Sequence, residues 1–332
     1  MVLRVSITVG ALAWLLSRSD AAAVLEALKT PPLYVVATPF VALLGTAALH
    51  ATRLHLLLAA AGTPVPWAAV LSVWLRAAFV GAVSPRGGAD VARVAWLSKA
   101  AGSVEPVVAA AVVARLLDLV PWLGMLLWGL LSGALDAHPP LKASATLFAG
   151  LFAFSLVGTT LIAALGEPLA RRLPVFRERA VTLARSMRRL GGHKGTLGTV
   201  ALLGLGVGAL NVLSVYVVAR SLGAHLPVTE AIGVVPAMDT VISLPVTISG
   251  VGLREGVFVL TFGPRGLDQD AAVAAAWIRW SGELGRALVG GALFALGGRL
   301  ASTKSGQSRS RGGEDTDRPP STAPPPRKED AP

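Results

Sequence analysis

The 332-residue sequence contains no cysteine, which excludes disulfides, thiolate metal sites and thiol nucleophiles, and with them redox chemistry on its own side chains. Its histidines, His50, His55, His138, His193 and His225, fall in or beside loops without ligand spacing, so no zinc or iron site is indicated. No P-loop or acidic metal motif occurs, and no Ser-Lys arrangement stands in a clear catalytic context. An intramembrane phosphatase or transferase would need such groups, so neither an enzymatic activity nor a cofactor is expected. Charged residues make up only 15% of the chain. The alternating polar and apolar segments of about ten residues that an outer-membrane barrel requires are also missing.

What is present is apolar. Hydrophobic residues account for 53% of the sequence and the mean hydropathy is +0.64, which makes the bilayer the expected solvent. Leu33 to Leu49, Ala143 to Leu165 and Leu197 to Ala219 carry no charge. Each is of the length needed to cross about 30 Å of hydrocarbon at roughly 1.5 Å per residue. Backbone hydrogen bonding in lipid then demands helices, and the expected fold is an all-α polytopic membrane protein of about six spanning helices.

The formal charge of +11 sits in segments flanking the apolar runs, a pattern of membrane surfaces rather than nucleic-acid binding. Arg4, the run Val5 to Leu16 and then Asp20-Ala-Ala-Ala23 outline a signal peptide. The run continues into Arg18 and Asp20, as an uncleaved first helix would. Residues 301–332 are rich in Pro, Ser, Gly and mixed charge, and are expected to form a disordered cytoplasmic tail after a transmembrane domain of residues 1–300.

Between Leu165 and Leu197 stand Arg171, Arg172, Arg177, Arg179, Arg185, Arg188, Arg189 and Lys194 against Glu167 and Glu178, so this segment is expected in the cytoplasm. Arg172, Phe176, Leu183, Met187 and Leu190 give it some amphipathic character. Arg299, Lys304, Arg309 and Arg311 place the C-terminus on the same side. Three apolar regions lie between these anchors, where parity allows an even number of crossings. The region from Val228 to Phe262 is interrupted by Pro236, Asp239, Pro245 and Ser249-Gly-Val-Gly-Leu-Arg-Glu-Gly256, and reads as a broken hairpin. Trp67 to Val83, then Ser84-Pro-Arg-Gly-Gly-Ala-Asp90 and a helix with Arg93 and Lys99, reads as a second hairpin open to the cytoplasm. The alternative is a full crossing with the N-terminus outside. With the hairpin, Arg53, His55, Arg86, Arg93 and Lys99 all stay on the cytoplasmic side. Segments 67–131 and 228–298 share this order of broken hairpin and charged helix, as inverted repeats would.

Charges within spanning segments cost a few kcal/mol each on insertion scales unless they face the bundle interior, of order about 2.5–3.5 at the centre. Arg115 and Asp118 are three apart and close enough to pair, as are Arg279, Glu283 and Arg286 at spacings of four and three. Such residues are either paired struts or a binding site. The second set carries a surplus cation suited to phosphate. Arg86 with Asp90, and Arg254 with Glu255, place a charged pair at each Gly-rich break, where helix ends offer N–H groups to anions.

The stretches Phe79-Val-Gly-Ala-Val-Ser-Pro-Arg-Gly-Gly-Ala-Asp-Val-Ala-Arg93, Ala114-Arg-Leu-Leu-Asp118 and Leu244-Pro-Val-Thr-Ile-Ser-Gly-Val-Gly-Leu-Arg-Glu-Gly256 resemble the flippase-like membrane region of the lysylphosphatidylglycerol synthase family over residues 1 to about 300. That family has a Gly-Gly-Asp-like break before an Arg, a later Arg-x-x-Asp helix and a Gly-x-Gly-x-x-Glu segment. Here Gly-Gly-Ala-Asp departs from the commoner Gly-Gly-Asp by one alanine. The resemblance implies a bundle with re-entrant elements that moves an anionic or aminoacylated phospholipid, or a polyprenyl-phosphate-linked sugar, between leaflets. Arg86, Arg115, Arg254, Arg279 and Arg286 would then bind phosphate, while Asp90, Asp118, Glu255 and Glu283 hold those arginines or the positive part of a headgroup. The synthases carry an aminoacyl-transferase domain after this region; here only the tail follows, so aminoacyl-lipid synthesis is not expected. A non-transporting scaffold for envelope glycolipid assembly is the other reading of the same fold.

Overall fold

The computed structural model describes residues 20–84, 87–170, 177–244, 247 and 250–311. The expected N-terminal run from Val5 to Leu16, Arg86, Arg171 and Arg172, and the tail from 312 to 332 lie outside the described residues. The chain divides into two units, Met1–Gly291 and Ala292–Pro332. The packing below is that of the first; the second is helical as far as Arg311.

Every regular element among the described residues is helical, so this is the all-α, polytopic protein that the composition demands. The helices are α1 (Ala21–Lys29), α2 (Leu33–Ala60), α3 (Trp67–Val83), α4 (Gly88–Ala101), α5 (Glu105–Leu131), α6 (Pro139–Ala170), α7 (Arg177–Gly192), α8 (Lys194–Ser221), α9 (Val228–Ile242), α10 (Leu253–Phe262) and α11 (Gln269–Arg311), with a 3-10 turn at Gly263–Arg265. Four of them are long and apolar enough to span a bilayer: α2, α5, α6 over Pro139–Gly158, and α8. Prolines mark the starts, Pro32 before α2, Pro66 before α3 and Pro227 before α9, where a missing N–H costs nothing.

Two buried apolar clusters fix how the helices run. One gathers Val35 of α2, Leu126 of α5, Leu141 of α6, Val218 of α8, most of α9 and α10, and the start of α11. The other gathers Leu57 of α2, Val70 of α3, Leu97 of α4, Val107 of α5, Leu190 of α7 and Val200 of α8. Helices α2, α5 and α8 therefore run from one cluster to the other, with α2 and α8 packed along each other most extensively. The α3/α4 hairpin has both its open ends in the second cluster, beside the basic helix α7, and the α9/α10 hairpin has both of its in the first. The two hairpins thus open from opposite ends, as an inverted repeat requires. On α7, Met187 and Leu190 pack inward while Arg185, Arg188 and Arg189 are exposed.

Close approach is made by glycine. A Cβ on Gly282 of α11 would lie 2.7 Å from the Pro39 carbonyl carbon of α2, and one on Gly290 would lie 2.0 Å from the Leu75 carbonyl oxygen of α3. Helix α11 is therefore seated against α2 and α3 by small residues, with the Phe40 and Phe79 rings lying over Gly285 and Gly291.

Candidate functional site

Each hairpin turns back through a glycine in the left-handed region, Gly87 at φ +96° before α4 and Gly252 at φ +81° before α10, a conformation that a Cβ resists. Each glycine is followed three residues later by an acid. Glu255 is buried and its Oε2 accepts from the Gly252 N–H at 2.7 Å, so it caps its own helix instead of pairing with Arg254. Asp90 faces the bundle. Its Oδ1 accepts from Arg93 Nη1 at 2.6 Å and from Arg115 Nη2 at 2.8 Å, and the same Nη2 lies 2.9 Å from Oδ2. Arg86, the residue expected to pair with Asp90, lies outside the described residues.

Asp90, Arg93 and Arg115 line a cavity of about 310 Å³ between α2, α3, α4 and α5. On its wall Arg53 is wholly buried and bonds across three helices: to Asp118 of α5, to the Ala114 carbonyl at 3.4 Å, and through Nε to the Val200 carbonyl of α8 at 2.9 Å. Asp118 is therefore claimed by Arg53, and Arg115 approaches it only to 3.9 Å. The expected i,i+3 pair within α5 is secondary; each member takes its closest partner from another helix. The Arg93 guanidinium lies 3.7 Å above the Trp74 ring, on which His50 also stacks. A second, more apolar cavity of about 810 Å³ runs along α4 past Val91, Val94 and Ala95, and shares Asp90 and Val94 with the first.

The second hairpin contributes its own cluster. Glu283 of α11 meets Arg254 of α10 at 3.4 Å and Arg279 of its own helix at 3.3 Å. Arg279 also donates to Asn211 Oδ1 at 2.7 Å, and Asn211 donates to Asp239 of α9. Arg254 and Arg279 are buried, and Arg254 lies 5.6 Å from the Trp280 ring. Between the two clusters stands Arg286, within electrostatic range of His50 and Arg93 on one side and of Glu283 and Arg279 on the other. It has no ion pair or hydrogen bond among the described residues, and its Nε is buried without a partner.

Asp90, Arg115 and Asp118 thus gather at the first hairpin and Arg254, Arg279 and Glu283 at the second, with Arg286 within electrostatic range of both; the two clusters and Arg286 form the belt of charge, while Glu255 serves its helix end. Sequence reasoning assigned Arg53 and Arg93 to topology and gave no part to Trp74, His50, Asn211 or Asp239. The signal for Arg53 was present: an arginine within an otherwise apolar spanning run, three residues after His50. Chemically, the belt offers guanidinium groups among helices of spanning length, and their planar fork matches phosphate oxygens.

Comparison with curated proteins and with solved structures returns no match. A family model, that of the lysylphosphatidylglycerol synthase transmembrane region, matches residues 1–280. That span contains both hairpins and the belt as far as Arg279, and the chain belongs to this family of membrane proteins.

Proposed function

We propose that this protein translocates a phospholipid or a lipid-linked anionic headgroup between leaflets, without making or breaking covalent bonds. The observation that carries the reading is the belt: two broken hairpins opening from opposite ends, each with its own arginine cluster, and at the first a cavity of about 310 Å³ lined by Arg53, Arg93 and Arg115. Unwound backbone and charge at membrane depth are tolerated where they line a polar path. The apolar cavity along α4 adjoins the charged one at Asp90, so a headgroup and a tail have adjacent seats. The exposed arginines of α7 favour a cell-membrane placement with α7 and the C-terminus in the cytoplasm.

The test is reconstitution in liposomes with fluorescent anionic and aminoacylated phospholipids and polyprenyl-phosphate sugars, read by a leaflet-accessibility quench. Wild type is expected to move at least one of them. Arg115→Ala and Arg279→Ala, one from each end of the belt, are each expected to lose about tenfold or more of that rate, the scale of one lost charged contact. No movement of any headgroup by wild type would replace translocation with the scaffold reading.

A further inference from the structure

The carboxylates of the belt are all engaged. Asp90 receives Arg93 and Arg115, Asp118 receives Arg53, Glu283 receives Arg254 and Arg279, and Asp239 receives Asn211. The aromatic faces that could seat an ammonium are taken as well: Trp74 already carries His50 and the Arg93 guanidinium, and Trp280 has Arg254 near it. One arginine is in the opposite condition. Arg286 meets no acceptor among the described residues, and the Nε atoms of Arg93, Arg279 and Arg286 are buried without hydrogen-bond partners. Arg76 of α3 donates to the Ser72 carbonyl and lies 5.8 Å from the Trp96 ring, but meets no carboxylate among the described residues.

Resting on the translocation reading, we propose that the belt takes a lipid phosphate bearing no ammonium group and discriminates against aminoacylated headgroups, with Arg286 as the guanidinium that meets the phosphate between the two clusters. The reason is compensation of charge away from water. A desolvated guanidinium without a partner is costly, and a phosphate monoester or diester supplies the missing acceptors. A lysyl or alanyl headgroup brings an ammonium that finds Asp90, Asp118 and Glu283 already paired with arginines and Asp239 already holding the Asn211 amide. Each ammonium would have to break an existing arginine pair, displace Asn211 from Asp239, or stand unpaired beside Arg286. The phosphate chemistry is common to an anionic glycerophospholipid and a polyprenyl phosphate, and the arms of the test separate these sources.

Wild type, Arg286→Gln and Arg286→Lys are reconstituted with fluorescent phosphatidylglycerol, polyprenyl phosphate or lysylphosphatidylglycerol, and both flipping and, in detergent, binding are measured. One or both of the amine-free phosphates is expected to bind and move at least about tenfold better than the lysyl lipid. Arg286→Gln should lose that preference, and Arg286→Lys, which keeps the charge without the fork, should recover part of it. Equal or better handling of the lysyl lipid by wild type overturns the inference, as does an Arg286→Gln variant with unchanged discrimination. If no lipid flips, translocation fails by itself and binding decides: preferential binding of the amine-free phosphates still supports the headgroup assignment, and its absence overturns it.

Discussion

Arg265 of the 3-10 turn shows how much one side chain secures at the end opposite α7. It is buried, pairs with His138 just before α6, and donates to the Thr261 carbonyl at 2.9 Å, the Ala134 carbonyl at 3.2 Å and Glu230 of α9 at 3.0 Å. Burial, then the Arg265 charge, pushes the His138 imidazole below its ordinary value, with Glu230 opposing. A histidine depressed in the folded state favours the neutral form. Its contribution is complete above the unfolded value of about 6.5 and is lost as pH falls through that value toward the folded one. Thermal unfolding in detergent is therefore expected to show a lower midpoint at pH 5 than at pH 7.5. His138→Gln, which keeps an acceptor for Arg265 but cannot charge, should flatten that part of the slope; an equal slope in both proteins would contradict this account. Arg53 secures the other end in the same manner, and for it the sequence carried a signal, whereas nothing in the local sequence around His138 pointed to Arg265, 127 residues away.

Among elements, the contact between α5 and α9 is decided by two glycines that the sequence does not single out. A Cβ on Gly233 would lie 2.2 Å from the Gly129 Cα, and one on Gly129 would lie 2.8 Å from the Gly233 Cα. The helices touch backbone to backbone. Gly233→Ala must push them apart, and overpacking of this kind costs about 1–3 kcal/mol. Gly150 of α6 is the control, because a Cβ there meets nothing within 4 Å. Gly150→Ala is expected to stabilise slightly, by about 0.5–1 kcal/mol, through helix propensity and lost unfolded-state freedom. Opposite signs in denaturant titrations of the two variants are the expected result. The glycines of α8 from Gly204 to Gly208, and Gly290 with Gly291, were visible as a local cluster. Gly129 has Gly124 and Gly133 near it but nothing that ties it to Gly233, 104 residues away, and the two gain their packing role from each other.

Across the first unit, the placement of hairpin mouths makes a prediction about sidedness. The α2/α3 turn adjoins α7, since a Cβ on Gly62 would lie 3.0 Å from Arg189, while the α5/α6 loop sits beside Arg265 in the other cluster. The natural absence of cysteine makes the test direct. Pro64→Cys is expected to react with a membrane-impermeant maleimide from the cytoplasmic face, and Ala137→Cys from the opposite face, in intact cells against lysed ones. Labelling of both from one face would refute the opposed hairpins.

The sequence by itself determined the solvent, the helical class, the basic face and the positions of both breaks, because hydropathy, lysine and arginine placement, and Gly-Pro interruption act locally and are read one segment at a time. It also marked several of the arginines and acids that gather at the hairpins, but not Arg53, Arg93 or Asp239. Only the tertiary structure decided who meets whom: Asp118 with Arg53 rather than Arg115, Glu255 with its own helix end, Arg115 with Asp90. Those pairings depend on the lateral packing of helices far apart in sequence. Near-neighbour spacing marks a residue as charged and inward-facing, but the partner it finds is set by whichever helix the bundle brings beside it.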